Sequence, residues 1–295
     1  MTWLLAIALA ACSAAPKRLD YEGHRGARGL RPENTVGAFD RAIDLGVDTL
    51  EMDVMLTADD VLVVHHDEHL NPDITRDETG AWLAATGPAL RTLTFAELRR
   101  YDVGRTKPGT AYAARFPDQV GADGVRVPTL REVIEDAEQR SHRAIHYNIE
   151  IKTTPAKPAD TAPPEHVADA LVAVIREQGI AQRATIQSFD WRGLHRVKMI
   201  APELPTSCLT EPTSVTPAWN DGLSGSSVPA LVATFGCQIW SPDQATLTAA
   251  EVARAHRLRL RVLPWTVNAA NDMARLVDWG VDGLISDLPD RLPHR

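Results

Sequence analysis

Residues 49–67 read TLEMDVMLTADDVLVVHHD, and this stretch decides the fold. Thr49–Met55 and Val61–His65 are two β-prone runs, and only Thr57-Ala58-Asp59-Asp60 forms the turn between them. A parallel crossover needs about a dozen residues, so this link makes a hairpin and the second run returns antiparallel. The first run carries Glu51 and Asp53 inside an otherwise apolar strand. Strands of a parallel barrel are covered on both faces and should be apolar throughout. Two acids at i and i+2 point to the same side of a strand, and that side is a site.

Outward from this stretch, short apolar runs alternate with amphipathic helical patterns, which predicts a parallel sheet with helical crossovers. Seven further strands are expected at Tyr21–His24, Ala144–Ile151, Ala184–Ser188, Pro205–Leu209, Gln238–Ser241, Leu260–Thr266 and Asp282–Ser286. The first helix is expected to start on Asn34 as N-cap and to stop at Gly46. Others are expected after Pro128 and over Glu165–Gln178, Ala249–Arg257 and Ala270–Trp279. Eight parallel strands plus the hairpin arm fit an α/β TIM (β/α)8 barrel. Residues 67–127 are too long for a plain connection and are read as a small insertion after the second-strand hairpin. Residues 153–164 and 211–230 are rich in Pro, Ser, Thr and Gly and follow barrel strands, so they belong to the rim, as linkers or as substrate-gating loops.

The chain has 295 residues and a formal net charge of -8. That balance argues against a nucleic-acid partner, whose binding rests on Lys and Arg displacing counterions. Residues 1–12 end an apolar run at Cys12. The run is too short to span a bilayer and has the length of a secretory signal core, although no Lys or Arg precedes it. Leu9-Ala10-Ala11-Cys12 resembles the lipobox of bacterial lipoproteins. The expectation is an exported, periplasmic protein anchored to a membrane by a lipid on Cys12, with residues 18–295 as the barrel domain. Export permits a disulfide between Cys208 and Cys237, and the sequence leaves that pairing open. It also leaves the oligomeric state open.

Polar residues collect at the ends of the first three barrel strands: His24-Arg25-Gly26, then Glu51 and Asp53, then Glu150 and Lys152. The hairpin arm adds His65-His66-Asp67. Three carboxylates make a hard oxygen site suited to one divalent cation, Mg2+ or Ca2+. Pairing Leu56 with Val61 across the turn would set Glu51 opposite His66, and His66 is preferred to His65 as the site histidine because it precedes Asp67 and lies nearer the strand end. His24 would face the same cavity. Two histidines beside a phosphate can take one proton and give another, and Arg25 and Lys152 supply positive charge. His69, His142, His146, His166, His195, His256 and His294 have no such partners and are expected at the surface or in packing.

The motifs His24-Arg25-Gly26, Pro32-Glu33-Asn34-Thr35, Glu51-x-Asp53, His66-Asp67, Ile149–Lys152, Trp265–Asn268 and Asp282–Asp287 together resemble the glycerophosphodiester phosphodiesterase family. The resemblance implies hydrolysis of a small-molecule glycerophosphodiester to an alcohol and glycerol 3-phosphate. It implies His24 and His66 as the acid–base pair, Glu51, Asp53 and Glu150 as metal ligands, and Arg25 and Lys152 as phosphate holders. Trp265 and Phe189 are expected to line the pocket. Glu33 and Asn34 are adequately explained as helix-capping residues. Two other readings are a related barrel phospholipase, sphingomyelinase D-like or phosphoinositide-cleaving, and a non-catalytic phosphodiester-binding lipoprotein.

Overall fold

A computed structural model describes residues 18–293, so the apolar leader, Cys12 and His294 lie outside the described residues. In chain order it contains β1 (Asp20–Gly23), α1 (Val36–Asp44), β2 (Thr49–Leu56), β3 (Leu62–Val64), α2 (Phe95–Leu98), α3 (Ala111–Arg115) and α4 (Leu130–Arg140). There follow β4 (His146–Ile151), α5 (Pro164–Glu177), β5 (Ala184–Ser188), α6 (Trp191–Ile200), β6 (Thr206–Thr210), α7 (Val228–Phe235) and β7 (Ile239–Pro242). The chain closes with α8 (Ala249–Arg257), β8 (Arg261–Val262), α9 (Ala270–Asp278) and β9 (Gly283–Ser286).

Eight of these strands run parallel in the order β8-β7-β6-β5-β4-β2-β1-β9, a nearly closed TIM barrel. Single backbone bonds draw its two edges together: Asp282 N donates to Val262 O at 2.8 Å, and Val267 N to Ile285 O at 2.9 Å. The regular eighth strand is shorter than the expected Leu260–Thr266, although Leu263 N and Trp265 N still donate to Trp240 O and Pro242 O; Pro264 has no N–H to give on the side that faces β9. Along β2, Leu50, Met52 and Val54 pack outward under the helices while Glu51 and Asp53 take the other parity.

The hairpin is present, with its register one residue away from that expected. Leu56 pairs with Leu62, not Val61, and Val54 with Val64. The cause is the turn: Thr57 N donates to Val61 O, and Val61 N to the Thr57 hydroxyl, which keeps Val61 out of the ladder. Beyond Val64 one cross-strand bond remains, from His65 N to Asp53 O at 3.0 Å, and the chain then leaves the strand before His66.

The hairpin serves two cores. Val54, Leu56, Leu62 and Val64 join the main barrel core. Met55 and Val63, of opposite parity, are covered by Leu70, Leu90, Leu98, Val103 and Val127 from the segment between β3 and α4. That segment carries α2 and α3, and α3 reaches back over the barrel mouth. On the far side of the barrel, Cys208 and Cys237 are joined as a disulfide with S–S 2.12 Å.

Candidate active site

The site begins at the carboxyl end of β1. Arg25 has φ 50° and Gly26 φ 81°, so the chain turns sharply through the left-handed region. A side chain at Gly26 would meet the Ala38 carbonyl carbon at 2.5 Å, so only glycine fits between this turn and α1. The turn aims the Arg25 amide at Glu51 Oε2, 2.8 Å away. It also sends the Arg25 guanidinium to Glu33 Oε1 at 2.7 Å and to Asp53 Oδ2 at 3.3 Å.

Register brings the acids together. β2 and β4 pair Asp53 with Glu150 and Glu51 with Asn148, so Glu51, Asp53 and Glu150 converge with ligand oxygens within 4.8 Å of one another. All three are buried. Lys152 Nζ lies 2.9 Å from Glu150 Oε1 and 3.9 Å from Asp53 Oδ1. Gln187 on β5 donates to Glu51 Oε1 at 2.8 Å. Asp53 Oδ1 is buried and accepts no hydrogen bond within the protein. An unsatisfied carboxylate oxygen facing two other carboxylates is the donor set a hard divalent cation requires.

The electrostatics agree. Burial, and then the charges of Asp53 and Glu150, push Glu51 well above the ordinary carboxylate range. Burial likewise lifts Glu150 to about 7, with Asp53 adding to the rise. Burial works against Asp53 too, yet Arg25, His66 and Lys152 hold it well below its usual range. Three acids therefore compete for too little positive charge, and a divalent cation among them relieves the repulsion.

Both expected histidines reach this place. His24 Nδ1 lies 2.6 Å from Asp287 Oδ1, and its Nε2 is 3.9 Å from Glu51 Oε2. His66 Nδ1 lies 2.7 Å from Asp67 Oδ1. Burial, followed by the charge of Arg28, lowers His24 to about 4. Burial, with Arg25 and Lys152, does the same for His66. His65 turns the other way and is buried against Pro32, Glu33 and Asn34. Among the described residues, none of the other histidines lines the cavity.

The cavity over the triad has a volume of about 360 Å3, enough for a small organic phosphodiester. Phe189, Leu209, Trp265 and Ile285 form one wall, with the Phe189 ring edge-on to Trp265 at 5.4 Å. The 211–227 rim loop supports this wall, bringing Trp219 to 6.5 Å from Phe189. Asp67, Asn71, Tyr112 and Arg115 form the opposite wall.

Two residues set aside as helix caps belong to the site. Thr35, not Asn34, caps α1, its hydroxyl accepting from Ala38 N. Asn34, at φ 55°, instead donates its side-chain amide to Asp53 Oδ2 at 2.8 Å. Glu33 is ion-paired to Arg25 and accepts from the Tyr112 hydroxyl. Its carboxyl is disfavoured by burial but held at about 2 by Arg25 and Arg28. Asn34 stood in the Pro32–Thr35 motif beside Thr35, and two candidate caps in a row were the signal that one was free for another task. Asp287 stood only as the last residue of the Asp282–Asp287 motif, and Gln187, Arg28 and Tyr112 gave no local signal.

The family profile of glycerophosphoryl diester phosphodiesterases matches residues 24–291. A glycerophosphodiester phosphodiesterase of Caldanaerobacter subterraneus is 31% identical over 269 residues, covering 91% of this chain and 94% of its own. One from Bacillus subtilis is 29% identical over 286 residues, covering 94% and 86%. A crystal structure from Silicibacter pomeroyi, provisionally assigned to the same activity, superposes with a TM-score of 0.87 at 39% identity over 94% of this chain and 92% of that one. A phosphodiesterase of Oleispira antarctica, solved with the product sn-glycerol-3-phosphate, shares the fold with a TM-score of 0.71 at 23% identity over 93% and 95%.

Proposed function

Because this chain belongs to the glycerophosphoryl diester phosphodiesterase family, we propose that it hydrolyses glycerophosphodiesters to an alcohol and glycerol 3-phosphate with His24 and His66 as acid and base. The observation that carries this reading is the convergence of three buried carboxylates beneath one cavity that both histidines enter. Glu51, Asp53 and Glu150 would hold one divalent cation, Mg2+ or Ca2+. When bound, that cation supplies charge to neutralise phosphate oxygens.

The residues divide the remaining work. Arg25 and Lys152 bring positive charge to the phosphate and favour the more negative transition state. One histidine takes the proton of the attacking hydroxyl, which belongs to water or to the glycerol carbon beside the ester; in the second case a cyclic phosphate forms as the alcohol leaves, and water then opens it to glycerol 3-phosphate. The P–O bond to the alcohol breaks, and the other histidine gives that oxygen a proton. Phe189 and Trp265 offer a surface for the carbon skeleton and exclude water from that side.

Among the described residues the exposed large apolar side chains are Val120, Met199 and Leu258, and none of them lines the cavity. That favours a water-soluble diester over an intact phospholipid. The test is turnover of glycerophosphocholine, glycerophosphoethanolamine and glycerophosphoglycerol beside phosphatidylcholine and sphingomyelin vesicles, with Mg2+ or Ca2+. Release of glycerol 3-phosphate from the soluble diesters alone is expected. Turnover of the lipids alone would establish the phospholipase reading, and tight binding with no turnover the binding-protein reading.

We propose also that the chain is exported and lipid-anchored at Cys12, supported by the apolar run before it. The paired Cys208 and Cys237 suit an oxidising compartment. Cys12→Ser should then move the protein from the membrane to the soluble fraction of its host.

A further inference from the structure

The sequence motif that ends β9 has no assigned task, yet its last residue touches the site. Asp287 is fully buried and receives four donors on two oxygens. His24 Nδ1 lies 2.6 Å from Oδ1, and Arg28 Nε donates to the same oxygen at 2.8 Å. Arg28 Nη2 donates to Oδ2 at 3.1 Å, and Asn268 Nδ2 to Oδ2 at 2.8 Å. The Asp287 amide in turn donates to Asn268 Oδ1 at 2.9 Å. The carboxylate can neither rotate nor shift without losing several of these bonds.

We infer that Asp287 is the positioning residue for His24, fixing its ring orientation and its tautomer from 263 residues away. This rests on the reading of His24 as half of the acid–base pair. An ionised carboxylate only accepts, so the proton of the neutral ring must sit on Nδ1. That leaves Nε2 bare and turned toward the triad, 3.9 Å from Glu51 Oε2. Released from Asp287, the ring could take the other tautomer, which presents no lone pair to a substrate proton. The backbone sets the same geometry independently: His24 N donates to Ser286 O at 2.9 Å, so β9 delivers Asp287 beside β1.

Arg28 gives the arrangement its rigidity. It balances the buried charge of Asp287, and its guanidinium lies 5.1 Å from the centre of the Phe116 ring, just beyond α3. Gln119 donates to the Arg28 carbonyl at 2.7 Å. The β3–α4 segment thus braces a chain that runs through Arg28 and Asp287 to His24. A barrel-closing ion pair would need only Arg28 and Asp287. The histidine on the same oxygen is what gives the pair a part in the reaction.

The experiment is a double-mutant cycle in the full chain on glycerophosphocholine with Mg2+. The variants are His24→Ala, Asp287→Ala and the two combined, with Asp287→Asn run in parallel as the isosteric substitution if the alanine variant does not fold. Wild-type turnover comes first, because its absence with every head group and cation would refute the hydrolase reading and not this one. Given an active wild type, Asp287→Ala or Asp287→Asn should lower kcat roughly 30-fold or more, with KM and cation affinity within about threefold. In the His24→Ala background the same change should cost less than about threefold. Additive losses, a purely KM effect, or an unchanged kcat would overturn the assignment.

Discussion

Asp53 is the residue on which the site turns: Arg25 and Asn34 hold one of its oxygens, and the other is left without a hydrogen bond. Its neighbours explain why two adjacent histidines should behave differently. His66 is half-buried with its ring at the cavity, whereas His65 is 4% exposed and packed beneath the Pro32–Asn34 turn. His66→Ala should therefore lower kcat at least roughly 100-fold with little change in Tm. His65→Ala should lower stability by about 2 kcal/mol through lost packing and leave kcat within a few-fold of wild type. Steady-state kinetics and thermal melts on the two variants check this, and a reversed pattern would exchange their roles. The sequence made Glu51, Asp53 and Glu150 legible through strand parity, and His24 and His66 through motif position, because both signals are local. It could not show Asp287 beside His24 or Tyr112 beside Glu33, because those contacts exist only once the barrel brings distant segments together.

At the scale of elements, the hairpin shows both the reach and the limit of pattern reading. A four-residue link dictated an antiparallel return, but the Thr57 hydroxyl, which binds Val61 N, moved the register by one. Turn chemistry of that kind is invisible to apolar alternation. The helices outside the barrel carry a separate consequence. On α1, Asp40 is pushed up to about 6, first by burial and then by Asp136 across the contact with α4. A carboxyl raised in the folded state holds its proton longer there than in the unfolded chain. Its contribution to stability is complete below the ordinary aspartate value of 3.8 and is lost as pH rises through about 6. Tm should accordingly fall between pH 4.5 and pH 7.5 by more in wild type than in Asp136→Asn, where the neighbouring charge is gone. Equal slopes in the two proteins would remove Asp136 as the cause.

For the whole molecule, the alternation of strands and helices was enough to predict the barrel, since each parallel strand must be followed by a crossover that covers it. What it could not give was closure, which depends on bonds between β9 and the β8 end of the sheet, or the pairing of Cys208 with Cys237. That disulfide spans 29 residues. Closing a loop of that length restricts the unfolded chain by about 3.6 kcal/mol, so a reductant or the Cys208→Ala/Cys237→Ala variant should lower Tm by several degrees. A Tm indifferent to both would show that the bond does not form in solution. The central claim concerns the cation place at the open end of the barrel, where elements from across the chain converge. It is tested most directly by titrating chelated protein with Mg2+ or Ca2+ while following glycerol 3-phosphate release from a soluble glycerophosphodiester. Activity should be absent after chelation, return in full with one bound cation per chain, and fail to return in Glu51→Gln, Asp53→Asn or Glu150→Gln. Turnover that survives chelation, or cation binding undisturbed by all three substitutions, would contradict the account.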